Sequence, residues 1–302
     1  MRVTALYNPE AGSQNVTRRR LGGLLERAGY DATYVSAKGK RWKDALEDPG
    51  DLVVVAGGDG TTAKVARRLA GRGVPLAILP AGTSNNVARS LGLDAPLDEL
   101  IARWTDAVPT PVDLGLARGP WGEELFIEAW GLGVFPRMLE SAAAVEELPA
   151  AERAALGQTE HGIDLMIKLV MSSPARRWRV SIDAQDRSGA YIMLEAMNIR
   201  YIGGAMDLAP NADATDGVLD VLAVREEDRG SFVEYLREIQ RGMERKREFI
   251  IRAKRIEVED AATLVHIDDE PWPTTETPRG DLPFGNEAMT VEVQQGAIEV
   301  LL

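Results

Sequence analysis

Cysteine is absent from this sequence of 302 residues, and histidine occurs only twice. The absence of cysteine excludes disulfides, thiolate zinc sites and cysteine nucleophiles. With only His161 and His266 available, a histidine-rich metal site is disfavoured, and we predict ordinary surface or core positions for both. A bound metal is therefore expected to take oxygen ligands, as magnesium prefers.

Long apolar runs are also missing. No segment approaches the roughly 18 uninterrupted apolar residues that a transmembrane helix requires, and Met1 to Ala5 lead into a strand-like segment without a signal-peptide pattern. The formal net charge of -12 argues against nucleic acid as the main partner, since phosphate neutralisation needs a net basic face. These features predict a cytoplasmic protein with no transmembrane segment and no nucleic-acid partner.

The length and composition fit a globular chain with two cores. The hydrophobic fraction is 45% and the charged fraction is 27%, as is typical of globular proteins. Single cores usually stop growing before about 300 residues. Pro109 and Pro111 mark a change of pattern, so we predict one domain over residues 1–108 and a second over residues 109–302.

The first hundred residues alternate strand-like and helix-like patterns. Leu52–Ala56 is continuously apolar, as expected for a strand covered on both faces. Leucines at helical spacing after Thr17, a candidate cap, predict a helix that ends at Gly29. Such alternation is typical of a parallel sheet with crossover helices. We therefore predict an α/β N-terminal domain with a parallel sheet and flanking helices.

Beyond the two prolines the pattern is mostly strand-like and indicates a β-rich sandwich or barrel domain. One helix is predicted within Arg137–Met171 and another over Ser231–Met243, whose apolar stripe indicates a core-facing side. The predicted strands are Val112–Ala117, Leu125–Ala129, Arg179–Ala184, Tyr191–Met197, Leu219–Val224, Arg255–Glu259, Leu264–Ile267, Thr290–Val293 and Ile298–Leu302.

Glycines directly follow the buried strand, in the run Gly57-Gly58-Asp59-Gly60-Thr61. Glycines at the carboxyl end of such a strand let the backbone approach a phosphate without interference from Cβ atoms. The next helix adds its amino-terminal N–H groups. Asp59 cannot itself favour a phosphate, so it indicates magnesium or hydrogen bonds to hydroxyl groups. This arrangement is kinase-like.

Competing motifs are absent, and a second turn strengthens the kinase interpretation. No G-x-x-x-x-G-K-[ST] and no G-x-S-x-G occur, which disfavours a P-loop protein and an α/β-hydrolase. Gly131-Leu132-Gly133 is followed by Pro136 where a dinucleotide fingerprint needs its third glycine. Leu79–Asn86, however, again places small and amide residues beyond a strand. Two such turns at one sheet edge form a crevice.

Several motifs together resemble the diacylglycerol-kinase catalytic-domain family, which also contains bacterial lipid kinases, sphingosine kinases and ceramide kinases. The resemblance covers nearly the whole chain. It implies an α/β nucleotide-binding domain and a β-rich lipid-substrate domain, with ATP and lipid meeting in the cleft between them. The motifs are Asn8–Gly12 (N-P-x-[SA]-G), Gly57–Thr61 (G-G-D-G-T), Pro80–Asn86 (P-x-G-T-x-N-D except at its end), Gly203-Gly204 with Leu208–Ala212, and Asp216–Asp220.

The resemblance also implies the site residues. The family's D-G-E motif matches Asp268-Asp269-Glu270, which makes Glu270 the candidate base for the acceptor hydroxyl, with Asp59 in the other central role. Magnesium would lie near Asp59 with ATP, and a structural magnesium would lie near Asp216. One of the arginines at 18–20, Arg19 in our assignment, would reach phosphate. The residues implied around the nucleotide are Asn8, Gly57, Gly58, Asp59, Gly60, Thr61, Gly82, Thr83, Asn85 and Asn86.

The chain departs from the family pattern at two positions. Asn86 replaces an aspartate, which removes a carboxylate that would hold magnesium or orient substrate. Asp269 replaces a glycine, and aspartate tolerates a positive φ less readily than glycine does. Both departures favour an altered acceptor or a weak kinase.

The leading interpretation is an ATP-dependent lipid kinase that phosphorylates a diacylglycerol-like hydroxyl in phospholipid biosynthesis. An NAD kinase-like enzyme, whose family shares G-G-D-G-T, and a non-catalytic nucleotide- or lipid-binding homologue stay open as alternatives. The seven basic residues within Arg241–Arg255 would draw the protein peripherally to a membrane surface that carries its lipid substrate. A homodimer is open as an alternative to a monomer.

Overall fold

The chain forms two compact units. The computed structural model describes residues 1–11, 16–146, 158–243, 248–259, 264–272 and 288–302, so Gly12 of the first motif and residues 244–247 of the basic stretch lie outside the described residues. The prolines predict one division of the sequence, at residue 108. The first unit of the structure also includes two segments from later in the sequence. The first unit comprises Met1–Leu114, Asp213–Gly217 and Gln294–Leu302, and the second comprises Gly115–Ala212 and Val218–Val293.

A parallel sheet forms the centre of the first unit, with the strand order β2-β1-β3-β4. Every residue of the last two strands is buried, as their continuous apolar runs predict. The α/β prediction is confirmed. The strands are β1 (Val3–Tyr7), β2 (Ala32–Ser36), β3 (Leu52–Gly57) and β4 (Leu76–Pro80), and the helices are α1 (Arg18–Arg27), α2 (Arg41–Ala45), α3 (Asp59–Leu69), α4 (Asn86–Ser90) and α5 (Leu97–Arg103).

Antiparallel strands form the second unit, which confirms the β-rich prediction. Two strands, β5 (Thr110–Gly119) and β18 (Met289–Val300), contribute residues to both units. The other strands are β6 (Gly122–Phe126), β7 (Ala129–Gly133), β8 (Arg176–Ile182), β9 (Gln185–Asp186), β10 (Gly189–Met197), β11 (Tyr201–Ile202), β12 (Met206–Asp207), β13 (Leu219–Arg225), β14 (Ile250–Ala253), β15 (Arg255–Glu259), β16 (Val265–Ile267) and β17 (Glu270–Trp272), and the helices are α6 (Val134–Glu146), α7 (Gln158–Ser172) and α8 (Arg229–Gln240).

Alternation along β10 divides the apolar interior of the second unit into two cores. Met193 and Met197 pack in one core with residues of the three helices, including Phe232 of α8. Leu194 and Ala196 pack in the other core. Because successive side chains of a strand point to opposite faces, a strand covered on both faces needs apolar residues at nearly every position. This requirement explains the mostly apolar sequence of β10, in which Glu195 is the one charged residue.

The strand predicted at Leu125–Ala129 is an error, because it spans the end of β6 and the start of β7. The backbone N–H groups of Ile127 and Glu128 donate to Asp268 Oδ1 at 3.1 and 2.8 Å. These two groups therefore bond to a carboxylate from a later part of the chain rather than to a neighbouring strand. Hydrogen bonds between segments so far apart in the sequence leave no periodic pattern in it.

Two other predictions are corrected, one at β18 and one within residues 137–171. Separate strands were expected at Thr290–Val293 and Ile298–Leu302. The structure has one strand, β18, that includes both predicted segments except Leu301 and Leu302. The chain continues through Gly296, which has a φ of 56° that favours glycine. A single helix was predicted within Arg137–Met171, whereas the described parts of this range, residues 137–146 and 158–171, lie in two helices, α6 and α7.

The carboxylate of Asp113, only 3% exposed, joins three segments of the first unit. Its Oδ2 accepts the N–H of Gly217 at 2.7 Å, and its Oδ1 accepts the N–H of Gly296, also at 2.7 Å. The N–H of Asp113 donates in turn to the carbonyl of Ala214 at 2.6 Å. These bonds hold the loop of residues 213–217 and the end of β18 against β5 within this unit.

Replacing Asp113 with asparagine should lower the free energy of unfolding by about 1–3 kcal/mol, because one N–H donor would then face an amide donor instead of an acceptor. Urea denaturation measures this change. Asp31→Asn, at an exposed position of the same unit, should alter the free energy by less than about 0.5 kcal/mol. Equal stability of D113N and the wild type would contradict the structural role of Asp113.

Candidate functional site

Three loops of the first unit follow neighbouring parallel strands at the carboxyl edge of the sheet. Asn8 follows β1, Gly58 follows β3 and Ala81 follows β4. The N–H of Asn8 donates to Ala56 O at 3.0 Å, and the N–H of Ala81 donates to Gly57 O at 2.9 Å. Both outer loops therefore begin hydrogen-bonded to the central strand. In open parallel sheets, ligands bind in the crevice beyond this edge.

The run Gly57–Thr61 forms the end of β3 and the first turn of α3. Gly58 caps the helix with an extended backbone, φ -90° and ψ -172°. Its carbonyl accepts the N–H groups of Thr61 and Thr62 at 3.1 and 3.0 Å. The first N–H groups of a helix have no intrahelical partners and carry the positive end of its dipole, so a phosphate is favoured at this position.

Gly58 and Gly82 are in direct backbone contact. A Cβ atom at position 82 would lie 2.4 Å from Gly58 Cα, and one at position 58 would lie 3.1 Å from Gly82 Cα. The φ of Gly58 is -90°, so space rather than an unusual conformation makes glycine necessary there. The structure therefore brings together the two glycine turns that the sequence analysis placed at one sheet edge.

Asp59 and Asn85 fix the conformation of the second turn. Asp59 Oδ1 accepts the N–H of Val87, in the first turn of α4, at 3.0 Å. Asn85 has a left-handed φ of 51°, and its side chain accepts the N–H of Gly82 at 2.8 Å and donates to the carbonyl of Gly82 at 3.0 Å. Thr83 is exposed in this turn, and Asn86 is buried at the start of α4.

The remaining residues predicted around a nucleotide lie in the first loop and helix. Asn8 Oδ1 accepts the N–H of Glu10 at 3.1 Å, so the side chain of Asn8 shapes the loop after β1. Arg19 is exposed in the first turn of α1. Thr17 caps this helix, its hydroxyl accepting the N–H of Arg20 at 3.2 Å, as the sequence predicts.

The carboxylates of the first unit suit a metal that is bound together with phosphate. Within the described ranges, no three histidine, aspartate or glutamate side chains are grouped to hold a metal ion. Asp216 is exposed, and its N–H donates to Asp213 O at 3.2 Å. Magnesium in nucleotide enzymes usually takes one or two carboxylates and several phosphate or water oxygens. The carboxylate of Asp59 therefore suits a magnesium ion that is bound together with a nucleotide better than a magnesium ion that is held by protein side chains alone.

Asp268 and Asp269 form the turn of the β16–β17 hairpin in the second unit, and Glu270 begins β17. Ile267 and Glu270 are partners across the hairpin. Asp268 is buried with a φ of 54°, whereas Asp269 and Glu270 are exposed. The positive φ thus falls on Asp268 and not on Asp269, which corrects our expectation. Aspartate is among the residues enriched in this conformation.

Glu195, Gly131 and His266 form a row across three neighbouring strands of the second unit. Gly131 of β7 is the partner of Glu195 on β10 and of His266 on β16. A Cβ atom on Gly131 would lie 1.9 Å from Glu195 Oε2. Because this glycine has no side chain, the Glu195 carboxylate reaches His266 above it, with 2.6 Å between Oε2 and Nε2.

The Glu195–His266 pair is fully buried and shares a proton. His266 Nδ1 lies 2.7 Å from the carbonyl oxygen of Asp268, which can only accept, so Nδ1 carries a hydrogen. Burial raises the pKa of Glu195. Burial acts most strongly, to lower the pKa of His266, but the charge and hydrogen bond of Glu195 together with the hydrogen bond to Asp268 outweigh it and raise that pKa overall.

The sequence motifs do not predict this pair, and His266 is expected from them only at an ordinary surface or core position. A signal was nevertheless present, because Glu195 interrupts the apolar run Tyr191–Met197 at a position that is fully buried. Charged residues are almost never fully buried unless they are paired. Gly131 was considered only as part of a failed dinucleotide fingerprint, whereas the structure gives it a packing role.

Comparisons with known proteins agree with the fold. Residues 2–117 match the diacylglycerol kinase catalytic domain, and residues 141–301 match the YegS C-terminal NAD kinase beta sandwich-like domain. A crystal structure of a diacylglycerol kinase from Bacillus anthracis str. Sterne has a TM-score of 0.70 to this structure at 22% identity, covering 99% of this chain and 96% of that chain. Among the described helices, none has the length and apolarity needed to span a membrane.

Curated relatives extend the similarity over most of the sequence. The diacylglycerol kinase of Mycobacterium tuberculosis is 29% identical over 284 residues, which are 89% of this chain and 88% of the relative. The "Probable lipid kinase YegS-like" of Pseudomonas aeruginosa is 32% identical over 227 residues, which are 72% of this chain and 70% of the relative. With both domains matched in sequence and fold, the chain belongs to the lipid kinase family that combines a diacylglycerol kinase catalytic domain with a YegS-type C-terminal domain.

Proposed function

We propose that the protein is an ATP-dependent phosphotransferase that transfers the γ-phosphate of ATP to the hydroxyl of a diacylglycerol-like lipid, as a step of phospholipid biosynthesis. The backbone contact between Gly58 and Gly82 carries this proposal. It brings two main-chain turns together at the carboxyl edge of a parallel sheet, with no side chain between them, as phosphate binding by backbone groups requires. The names of the relatives support a lipid as acceptor.

The nucleotide site consists of main-chain groups with few charged side chains. The N-terminus of α3 at Gly58–Thr61 receives the phosphates, and Asn8, Thr83 and Asn85 surround the nucleotide. Arg19, exposed on α1, adds the positive charge that phosphates attract. Magnesium, when bound with ATP at Asp59, would neutralise phosphate charge during transfer. A structural magnesium near the exposed Asp216 is a second metal site in this proposal.

Glu270 is the proposed base for the acceptor hydroxyl. Phosphoryl transfer needs a group that orients the acceptor and takes its proton. The carboxylate of Glu270 is exposed at the start of β17, so an incoming substrate can reach it. The neighbouring Asp268 is buried and its Oδ1 accepts two backbone N–H groups, which gives Asp268 a structural role and leaves Glu270 as the better-placed carboxylate.

Contact with a membrane surface is proposed for the basic stretch Arg241–Arg255. Arg241, Arg252 and Lys254 are exposed, which suits attraction to anionic headgroups. Arg255 contributes less to this attraction because it is ion-paired with Glu257 at 2.8 Å and with Glu292 at 3.2 Å.

Glu270→Gln should lower kcat at least about 100-fold, because it removes the general base while the carboxamide keeps the side-chain shape. ATP affinity, measured by calorimetry, should stay within about 2-fold. Turnover is measured as radiolabelled phosphate transfer from ATP to diacylglycerol in mixed micelles. The matched control is Asp269→Asn, which removes the adjacent exposed carboxylate and should keep kcat within about 3-fold. Unchanged turnover in E270Q, or an equal loss of kcat in E270Q and D269N, would contradict the assignment of Glu270 as the base.

Gly82→Ala should weaken ATP binding at least about 10-fold, because the new Cβ atom would force the two turns apart in a close-packed region. Gly23→Ala on α1 is the control, since its Cβ atom would meet only the flexible end of Arg27 at 3.3 Å. Calorimetric titration with ATP compares the variants, and circular dichroism checks that both fold. Wild-type affinity in G82A would contradict the proposed nucleotide site.

NAD kinase activity is the second candidate, because the matched C-terminal domain is described as NAD kinase beta sandwich-like. Parallel assays with ATP and either NAD or diacylglycerol distinguish the two enzymes. Nucleotide binding without transfer to NAD or to any component of a total lipid extract would favour a non-catalytic homologue.

A further inference from the structure

The Glu195–His266 pair is bonded to the turn that precedes Glu270, and the proposed reaction does not use this pair. His266 is followed two residues later by Asp268, whose carbonyl accepts from His266 Nδ1 at 2.7 Å. We infer that His266, oriented by Glu195, is a positioning residue that fixes the direction of the Glu270 carboxylate. This inference rests on the proposed role of Glu270 as the base.

The hydrogen bond from His266 acts on the peptide unit that leads toward Glu270. The Asp268 carbonyl belongs to the peptide between Asp268 and Asp269, so its direction helps set the course of the chain into Glu270, whose partner across the hairpin is Ile267. The other side of Asp268 is also held, since its N–H donates to Ala129 O at 2.8 Å. Its Oδ1 accepts from Ile127 and Glu128 at 3.1 and 2.8 Å. His266 therefore supplies the bond to the one peptide carbonyl inside the turn.

Glu195 keeps the imidazole ring in the orientation that this bond requires. With Nε2 bonded to Glu195 at 2.6 Å, a flip of the ring about the Cβ–Cγ bond would put carbon atoms in the places of Nδ1 and Nε2, and both contacts would be lost. The ring of Phe135 packs against the imidazole with 4.7 Å between centroids, which restricts it further. In either placement of the shared proton, Nδ1 remains the donor to Asp268.

Two substitutions of His266 separate positioning from simple filling of the core. The amide of asparagine occupies the place of Nδ1, so His266→Asn keeps a donor for the Asp268 carbonyl and loses the contact with Glu195. The amide of glutamine occupies the place of Nε2, so His266→Gln keeps the contact with Glu195 and loses the donor. Positioning therefore predicts the larger loss for H266Q, whereas a purely structural pair predicts that H266N, which leaves the buried Glu195 without its partner, loses at least as much.

The test measures steady-state kinetics with ATP and diacylglycerol, together with hydrogen–deuterium exchange of residues 264–272 and of the amides of Ile127 and Glu128. We expect H266N to keep kcat within about 3-fold, and H266Q to lose roughly 10- to 100-fold in kcat with the KM for ATP unchanged. Exchange in the turn should accelerate in H266Q and stay close to that of the wild type in H266N.

Equal kcat and equal exchange in the two variants would overturn the inference. If exchange separates them but the wild type phosphorylates neither diacylglycerol nor any lipid of a total extract, positioning of the turn stands and the proposed function fails. If H266Q does not fold, the same measurements are made on Glu195→Gln and Glu195→Met instead of the two His266 variants. The glutamine of E195Q can still donate to Nε2, so kcat should be kept. The methionine of E195M leaves the imidazole unoriented, so kcat should fall. Equal kcat in these two variants would also reject the inference.

Discussion

Buried or partly buried aspartates accept backbone N–H groups from segments far away in the sequence, and these bonds hold the loops on which the sites depend. Asp59 bonds to Val87, Asp113 to Gly217 and Gly296, and Asp268 to Ile127 and Glu128. Irregular segments lack a ladder partner, yet their buried N–H groups still need acceptors. A carboxylate meets this need with charge-assisted bonds that are stronger than those of a neutral acceptor. The loop at Gly217 and the connection between β6 and β7 are therefore fixed although they are not part of regular structure, and bonds of the same kind hold the first turn of α4 at Val87 and strand β18 at Gly296.

Missing side chains matter as much as these bonds. Two main-chain turns are in contact at Gly58 and Gly82 because neither glycine has a Cβ atom. Glu195 contacts His266 above strand β7 because Gly131 has no side chain there. In both places the contact is made across the space that a side chain would fill. Close packing makes such space specific, because even a single methyl group cannot be absorbed without shifting neighbouring atoms. The same physical requirement therefore shapes the two glycine turns of the first unit and the strands that support the β16–β17 hairpin.

The sequence predicts well those features that repeat or stand next to each other in the chain. The buried strands β3 and β4, the Thr17 cap and the glycine turns follow from runs of neighbouring residues. The Glu195–His266 pair does not, because it depends on the order of three strands and on Gly131 lying between them. The break between β6 and β7 likewise depends on Asp268, 141 residues after Ile127. Contacts of such long range carry no local period, so pattern analysis cannot find them.

The two departures from the family pattern have different physical weight in this structure. Asp269 stands where the family has glycine, but the left-handed φ is carried by Asp268, which several hydrogen bonds support. Aspartate at position 269 therefore adds no backbone strain to the turn. Asn86 is the more consequential departure, because it is buried at the start of α4, beside Val87, whose N–H bonds to Asp59. An amide in place of a carboxylate removes one negative charge at this helix N-terminus. In the proposed nucleotide site, less negative charge would then repel the phosphates, and Asp59 would be the main carboxylate that the two turns offer to magnesium.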